Sequence, residues 1–467
     1  MFDLVWIVLI IGSGLMLTTS WLWTVIKPSW LYKTTFLLVL SLPFEYVPSL
    51  ELGGVNIRLS QVLVLLGFYF LLILVVKREP EILNSKVNPF LFWALSFWVA
   101  LLPSLFWVIN AQRQIQVLIA TALAFGATFL VANFIKNTIY TAKSLVLVMT
   151  GVGVFGLFQF AADFVGVPYS ITLLREHYTK RVFGFARVHA TALEPLYWGG
   201  MLLFPCVFLL VYFIFKKQTK IEPQTESTST LSRFYSSRWL QLLAISVLYL
   251  NLILTLSRGA YLAFSFSLII ALFLCFRYIS WKTISKWFIP YLAVILVFAS
   301  IFLFSNDAGR LVTTATDHIL NVFTDKQTST VERLNFLTDA LNLLYQNVIT
   351  GIGSGNYGPR VQNNIPSGDG GWLIVNNVYV EIWLEQGLLA ILVFLSMLGY
   401  YLRFAFKALN LNLKKHKNES NNSEILIFQI SILAAICGYL IQWMTFSPIF
   451  IMPFFILFGL LIKSLEL

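Results

Sequence analysis

From Leu4 to Ile462 the chain is a succession of apolar runs, most of them close to the ~20 residues an α-helix needs to cross a bilayer. The runs fall near 4–26, 34–50, 59–76, 90–110, 115–135, 144–165, 196–215, 239–257, 260–276, 287–305, 382–402, 425–443 and 447–462. The second is interrupted by Pro43 and Glu45, and the last is short and contains Pro453. Only 11% of the 467 residues are charged while 58% are hydrophobic, against roughly 25% charged in soluble domains. So few charges cannot clothe a water-facing surface, which excludes a soluble enzyme, a disordered chain and a collagen-like repeat. Lipid leaves backbone polar groups no outside partner, so spans of this length must be helices. The expected fold is an all-α polytopic membrane protein with twelve to thirteen transmembrane helices. The run Leu4–Val25 has no basic segment before it and reads as the first membrane helix rather than a cleaved signal.

Cations set the orientation. One set of connectors holds 21 of the 32 Lys and Arg residues, including Lys77, Lys136, Lys143, Lys216, Arg233, Lys282, Lys407 and Lys415. That side is expected to be cytoplasmic. Thirteen spans put the N-terminus outside and the C-terminus inside. The expected organisation is N-terminal helices over 1–165, an external loop over 166–195 and central helices over 196–304 with a cytoplasmic loop at 216–238. A large external loop over 305–381 and C-terminal helices over 382–467 complete it. The polar, Ser/Thr-rich loop 216–238 reads as a flexible connector. Within 305–381, the spacing of Val331, Leu334, Leu337, Leu341 and Leu344 predicts an amphipathic helix over 331–345, lying near the membrane surface.

The two sides differ in chemistry as well as in number. The cytoplasmic set has 16 Lys and 5 Arg, the external set 2 Lys and 9 Arg. Lysine suits general attraction to anionic headgroups, whereas arginine grips phosphate through a planar fork of donors. Four external stretches combine cations, glycine and acids: Arg181–Pro195 with Gly184, Arg187, His189 and Glu194; Ser257-Arg258-Gly259-Ala260; Glu332-Arg333; and Gly351–Gly358 with Gly353 and Gly355, followed by Asn376-Asn377-Val-Tyr379 and Glu385-Gln-Gly387. Arg258 is the sharpest, because it sits in an apolar hairpin with no acid within ten residues. A cation at membrane depth marks a functional site unless it snorkels to the headgroups. The glycine run lacks the strand and βαβ context of a dinucleotide fingerprint, leaving a tight turn or a loop whose N–H groups face a ligand. His177, His189, His318 and His416 show no metal-ligand spacing, and Cys206, Cys275 and Cys437 lie in apolar runs. Neither a metal site nor a cofactor is expected, nor a nucleic-acid partner.

These residues, in this order, resemble the O-antigen ligase and O-antigen polymerase superfamily of bacterial inner-membrane proteins. The resemblance rests on about a dozen spans, the Ser257–Ala260 turn and a large late loop. That loop carries Arg333, an amphipathic helix, GIGSGNYG and NNVYVEIWLEQGLLA; the Arg181–Pro195 stretch is similar to the family's earlier external segment. It covers roughly residues 180–400. It implies a GT-C-like, inverting glycosyltransferase of the inner membrane with its active site facing the periplasm. Such an enzyme moves a glycan from an undecaprenyl-pyrophosphate donor to a hydroxyl of an acceptor glycolipid or another lipid-linked repeat. On that reading Arg181, Arg187, Arg258 and Arg333, with Tyr379, Gly353 and Gly355, bind substrate and stabilise the pyrophosphate leaving group without a metal.

One position departs from the ligase pattern. Ligases usually carry His-Asn where this chain has Asn376-Asn377, and Asn cannot take a proton. The polymerase branch does not call for that histidine. Glu194, His189 and Glu332 are the alternative bases, with Asn376 and Asn377 left to orient the acceptor. A transporter of an anionic or glycan-lipid substrate is the other function class, although no internal repeat and no paired broken helices support it.

Overall fold

A computed structural model describes residues 25–52, 55–83, 89–175, 186–216, 230–276, 329–366, 372–416, 423–447 and 452–466. The expected spans 4–26 (apart from its last residues) and 287–305 lie outside these residues, as does Arg181. The described chain runs α1 (Pro28–Leu40), a hairpin of β1 (Ser49–Leu52) and β2 (Val55–Arg58), α2 (Leu59–Val76), α3 (Pro80–Leu83) and α4 (Phe90–Leu101). It continues through α5 (Ala111–Phe134), α6 (Thr138–Phe164), α7 (Tyr169–Thr172), α8 (Pro195–Lys216), α9 (Thr230–Ser236), α10 (Arg238–Leu254) and α11 (Arg258–Phe276). It ends with α12 (Ser329–Gln346), α13 (Tyr357–Val361), α14 (Val378–Gln386), α15 (Leu388–His416), α16 (Ser423–Gln442) and α17 (Met452–Ser464).

Among the described residues eight helices are long and apolar enough to cross a membrane, or nine if α9 and α10, bent by 90° at Ser237, form one span. The chain is an all-α polytopic membrane protein. Its helices start where the sequence supplies caps: Asn110 accepts from Arg113 N at 2.9 Å, and Asn137 from Tyr140 N at 2.9 Å.

Three expected boundaries move. The run 34–50 is not one span: α1 stops at Leu40, and Pro43 and Glu45 fall in the turn that leads to the hairpin. Proline removes a donor and the short carboxylate side chain needs polar company, so the helix cannot continue through them. The run 382–402 is divided at Gly387, whose φ of 87° is open to glycine at little cost. A Cβ there would also strike the carbonyl of Ile349. The last apolar run forms the shorter helix α17 over Met452–Ser464, which is not among those eight. The amphipathic helix lies over Ser329–Gln346, about where its spacing predicts.

Burial sorts the helices into a centre and a periphery. In α8, 94% of the apolar window is buried, against 33% in α2 and in α11. Outward-facing Leu65, Leu72, Phe92, Val99, Ile269 and Phe273 stay exposed, as suits side chains that meet lipid rather than water. Small residues let the central helices touch: a Cβ on Gly438 of α16 would collide with Ser267 Oγ and lie 2.7 Å from the Ala263 carbonyl, both on α11. Buried polar groups tie the same helices: Trp198 donates to Asn251 Oδ1 at 3.2 Å, and Asn251 donates to the Gly153 carbonyl at 2.7 Å. One end of the bundle gathers Lys143, Glu424 and Tyr235, with Lys143 Nζ 2.5 Å from Glu424. The other end gathers arginines.

Candidate functional site

At the arginine end, four polar segments meet over the start of α8. The first is the loop Ala186–Glu194. Its shape is set by Gln159 of α6, fully buried, which donates to the carbonyls of Thr172 and Ala190 and accepts from Ala190 N at 2.8 Å. Ala190 is held at a φ of 49°, a left-handed conformation this bonding sustains. Glu194 then occupies the N-cap position of α8, its carbonyl taking the first helical bond from Trp198 N at 3.1 Å, and Pro195 follows where a missing N–H costs nothing.

The second segment is the turn between α10 and α11. Val188 N donates to the Leu254 carbonyl at 2.9 Å, and Arg187 Nε donates to the Thr255 carbonyl at 3.1 Å. Those two bonds dock the Arg187 loop on the turn that carries Arg258. The third segment is the exit from α16, where Gln442 Nε2 reaches the Leu196 carbonyl at 2.9 Å. The fourth is the start of α12, whose Arg333 donates from Nη1 to the Thr445 carbonyl at 3.3 Å. Leu196, Met201, Trp443, Phe446 and Phe454 line an apolar crevice directly beside this junction.

Arg187, Arg258 and Arg333 therefore converge around Glu194, although their sequence positions span nearly the length of the central chain. Burial lowers the Arg187 pKa; Glu194 opposes that shift while Arg333 and Arg258 add to it. Arg333 is lowered by its own desolvation and by Arg258, against Glu194. Three guanidiniums facing one carboxylate leave the site strongly positive. Such a site, walled by apolar side chains, attracts and orients an anion.

His189, in contrast, is used up. It is 1% exposed; its Nδ1 lies 3.0 Å from the Ala192 carbonyl, and its Nε2 accepts the Arg175 N–H at 3.3 Å. That pattern assigns the proton to Nδ1, and desolvation, partly offset by the Ala192 hydrogen bond, pushes the group down to about 4. Both nitrogens hold the loop in shape. Asn377 is likewise a cap: its Oδ1 accepts from Tyr379 N and Val380 N at 3.1 Å, starting α14. Asn376 adopts a φ of 61° and donates to the Ile374 carbonyl at 3.3 Å, and Tyr379 donates its hydroxyl to the Leu440 carbonyl at 2.8 Å. The side chain of Glu332 lies outside the described set.

The glycine loop belongs to a separate polar cluster. Gly353 N donates to the Glu385 carbonyl at 3.0 Å, and Gly355 N and Tyr357 N donate to the Glu385 carboxylate at 2.6 and 3.0 Å. Asn356 Oδ1 takes the N–H groups of Ile109 and Asn110. The donors that could have cradled a ligand thus anchor the loop to α14 and to the start of α5. Burial raises both Glu385 and its neighbour Glu381, each eased by Arg113 nearby. Glu385 and Glu381 lay within a motif noted in the sequence, yet nothing in spacing alone marked them as anchors. Among the described residues, no group of three or more His, Cys, Asp or Glu is placed to hold a metal ion.

Residues 242–395 match the model of the O-antigen ligase family. The match supports the resemblance to the O-antigen ligase and polymerase superfamily, and with it a glycosyl-transfer role on lipid-linked glycans. No curated protein matches the chain. The matched segment contains Arg258, Arg333, the glycine loop and Asn376–Tyr379, whereas Arg187, His189 and Glu194 precede it. The charged junction is assembled across the N-terminal edge of the matched segment.

Proposed function

We propose that the protein transfers a glycan from an undecaprenyl-diphosphate donor to an acceptor hydroxyl at the outer face of the bacterial inner membrane. The observation that carries this reading is the convergence of Arg187, Arg258 and Arg333 around Glu194 at one end of an apolar bundle. The diphosphate gains charge as the glycosidic bond breaks. Guanidiniums already held in place by Thr255 and Thr445 carbonyls can stabilise that charge without reorganising. Direct attack by the acceptor on the anomeric carbon inverts its configuration. Glu194, at the mouth of α8, is the group assigned to take the acceptor proton, since His189 is engaged on both nitrogens. Asn376 is left to orient the acceptor. Asn377 and Tyr379 brace the exit from α16 through bonds to the Met444 and Leu440 carbonyls, while Gly353 and Gly355 act only in the separate glycine-loop cluster. The polyprenyl chain would lie along apolar helix faces in the outer leaflet.

The test is turnover by the purified protein in proteoliposomes. It is supplied with undecaprenyl-diphosphate-linked oligosaccharide, alone and with a lipid A–core acceptor. Release of undecaprenyl diphosphate with formation of a joined glycan is expected in one of the two mixtures. Absence of both products, with donor binding intact, would favour a transporter or a non-catalytic partner.

A further inference from the structure

Glu45 is a buried acid that the reading above leaves unused. It lies in the turn between α1 and the hairpin, 2% exposed, with its Oε1 held by Arg58 Nη1 at 2.7 Å. Its Oε2 is buried without a hydrogen-bond partner, and so is the hydroxyl of Tyr439 on α16, which feels the Glu45 charge. Leaving a buried carboxylate oxygen unmatched is costly unless it serves a second group. The turn is clamped to the loop that carries Glu194. Tyr46 N and Val47 N donate to the Thr191 carbonyl at 3.0 and 3.3 Å, and the Thr191 hydroxyl donates to the Pro43 carbonyl at 2.6 Å. Both flanks of Glu45 are therefore tied to a residue three positions before Glu194.

We propose that Glu45 is a positioning residue for Glu194: held by Arg58 and the Thr191 clamp, it sets a second carboxylate beside Glu194 and keeps that group basic among the arginines. The proposal rests on Glu194 being the proton acceptor. Arginines favour the ionised carboxylate and so weaken it as a base, whereas a neighbouring carboxylate acts in the opposite sense. Around the pair stand Arg58 from the hairpin, Tyr439 from α16, Arg175 over the Tyr46 ring and on the Leu193 carbonyl, and Arg187, Arg258 and Arg333 on the Glu194 side, with His189 neutral in the same loop. Burial pushes Glu45 up to about 7, against the pull of Arg58 and with the help of Glu194. In the transfer step the acceptor O–H bond breaks and its proton goes to a Glu194 oxygen. The acceptor oxygen bonds to the anomeric carbon, and the bond from that carbon to the diphosphate breaks, leaving its electron pair on the diphosphate. Glu194 then holds the proton until water removes it.

The deciding measurement is the pH profile of kcat for polyprenyl-diphosphate release from a polyprenyl-diphosphate-linked oligosaccharide in proteoliposomes. Glu45→Gln should move the acid limb to lower pH and lower the plateau by roughly three- to tenfold. Arg58→Gln, which takes away the cation that keeps Glu45 ionised, should move the limb in the same direction, and Glu45→Asp should return it towards wild type. A purely structural Glu45 would change yield or KM without moving the limb. Unmoved limbs in both Glu45→Gln and Arg58→Gln overturn the proposal; if Glu45→Gln does not fold, Arg58→Gln and Glu45→Asp still decide it. Glu194→Gln separates the two levels. Full activity there removes the base on which the proposal rests, whereas an inactive Glu194→Gln with unmoved limbs removes only the role of Glu45.

Discussion

The carboxylate of Glu385 accepts the backbone N–H of Gly355 at 2.6 Å, and its other oxygen accepts Tyr357 N at 3.0 Å. One buried side chain on α14 therefore holds a loop thirty residues upstream, where Gly355 has a φ of 74° and a Cβ would lie 2.7 Å from Val117. Glu385→Ala would leave two buried N–H groups unmatched, at a cost of roughly 2–5 kcal/mol. A lower unfolding midpoint in detergent and new proteolysis within 351–358 are expected. Glu385→Gln keeps one acceptor and should fall between the two. An unchanged midpoint for Glu385→Ala would mean the loop is held by Asn356 alone.

His189 gives a pH signature with a definite sign. Its folded pKa of about 4 lies below the ordinary 6.5, so the folded protein binds fewer protons between those values. Its stabilising contribution is complete above pH 6.5 and is lost as pH falls towards 4, by up to about 3 kcal/mol. The buried carboxyls Glu45, Glu381 and Glu385, all raised, bias an overlapping window the other way. The quantity to measure is therefore the stability of wild type minus that of His189→Asn, which should shrink as pH drops from 6.5 to 4. Transfer activity should persist in His189→Asn; a loss of about 100-fold at unchanged stability would make His189 the base after all.

The spans were legible because lipid admits few alternatives for an apolar run, and the arginines because a guanidinium in an apolar hairpin needs a reason. What the sequence concealed was long-range pairing. Glu45 looked like a flaw in a membrane helix, yet its partner Arg58 lies at the end of a hairpin that hydropathy alone does not reveal. The apolar run 382–402 showed no break, because Gly387 interrupts backbone geometry and not hydrophobicity. His189 and Asn377 carried side chains able to do chemistry, but their hydrogen bonds go to the loop and helix they begin or brace. The glycine loop left a turn and a ligand cradle as alternatives until Glu385 supplied the acceptor for its donors.

The arginines should not tolerate lysine. Arg187, Arg258 and Arg333 each offer a planar fork that a point charge cannot reproduce. Loss of one preorganised donor is typically worth about 3 kcal/mol, or roughly 100-fold in rate. Each Arg→Lys variant should show that loss in kcat at normal expression. Wild-type transfer by Arg258→Ala would reduce that residue to a headgroup contact.

Orientation can be read by labelling. In a background where Cys206, Cys275 and Cys437 are replaced, a cysteine at Ser329 should react with an impermeant maleimide in intact cells. A cysteine at Ser227, in the basic connector, should react only after lysis. Equal labelling of the two would reverse or break the assigned sidedness, and would take the donor site away from the outer leaflet.

The sharpest test sets Glu194 against Asn376. A hydroxyl that attacks an anomeric carbon must shed its proton, and a positioned base is typically worth 100- to 10,000-fold. Glu194 has a second reading as an acid at a helix start, where the N-terminal dipole stabilises a negative charge and Pro195 follows naturally. Glu194→Gln distinguishes the two. A base replaced by an amide should abolish transfer while donor binding survives, because the arginines remain. A cap replaced by an amide should leave turnover almost unchanged and cost less than about 1 kcal/mol of stability. Asn376→Ala supplies the contrast: if Asn376 only orients the acceptor, the variant should raise KM for the acceptor more than it lowers kcat. An active Glu194→Gln beside an inactive Asn376→Ala would place catalysis in orientation and leaving-group stabilisation, with no carboxylate base at the mouth of α8.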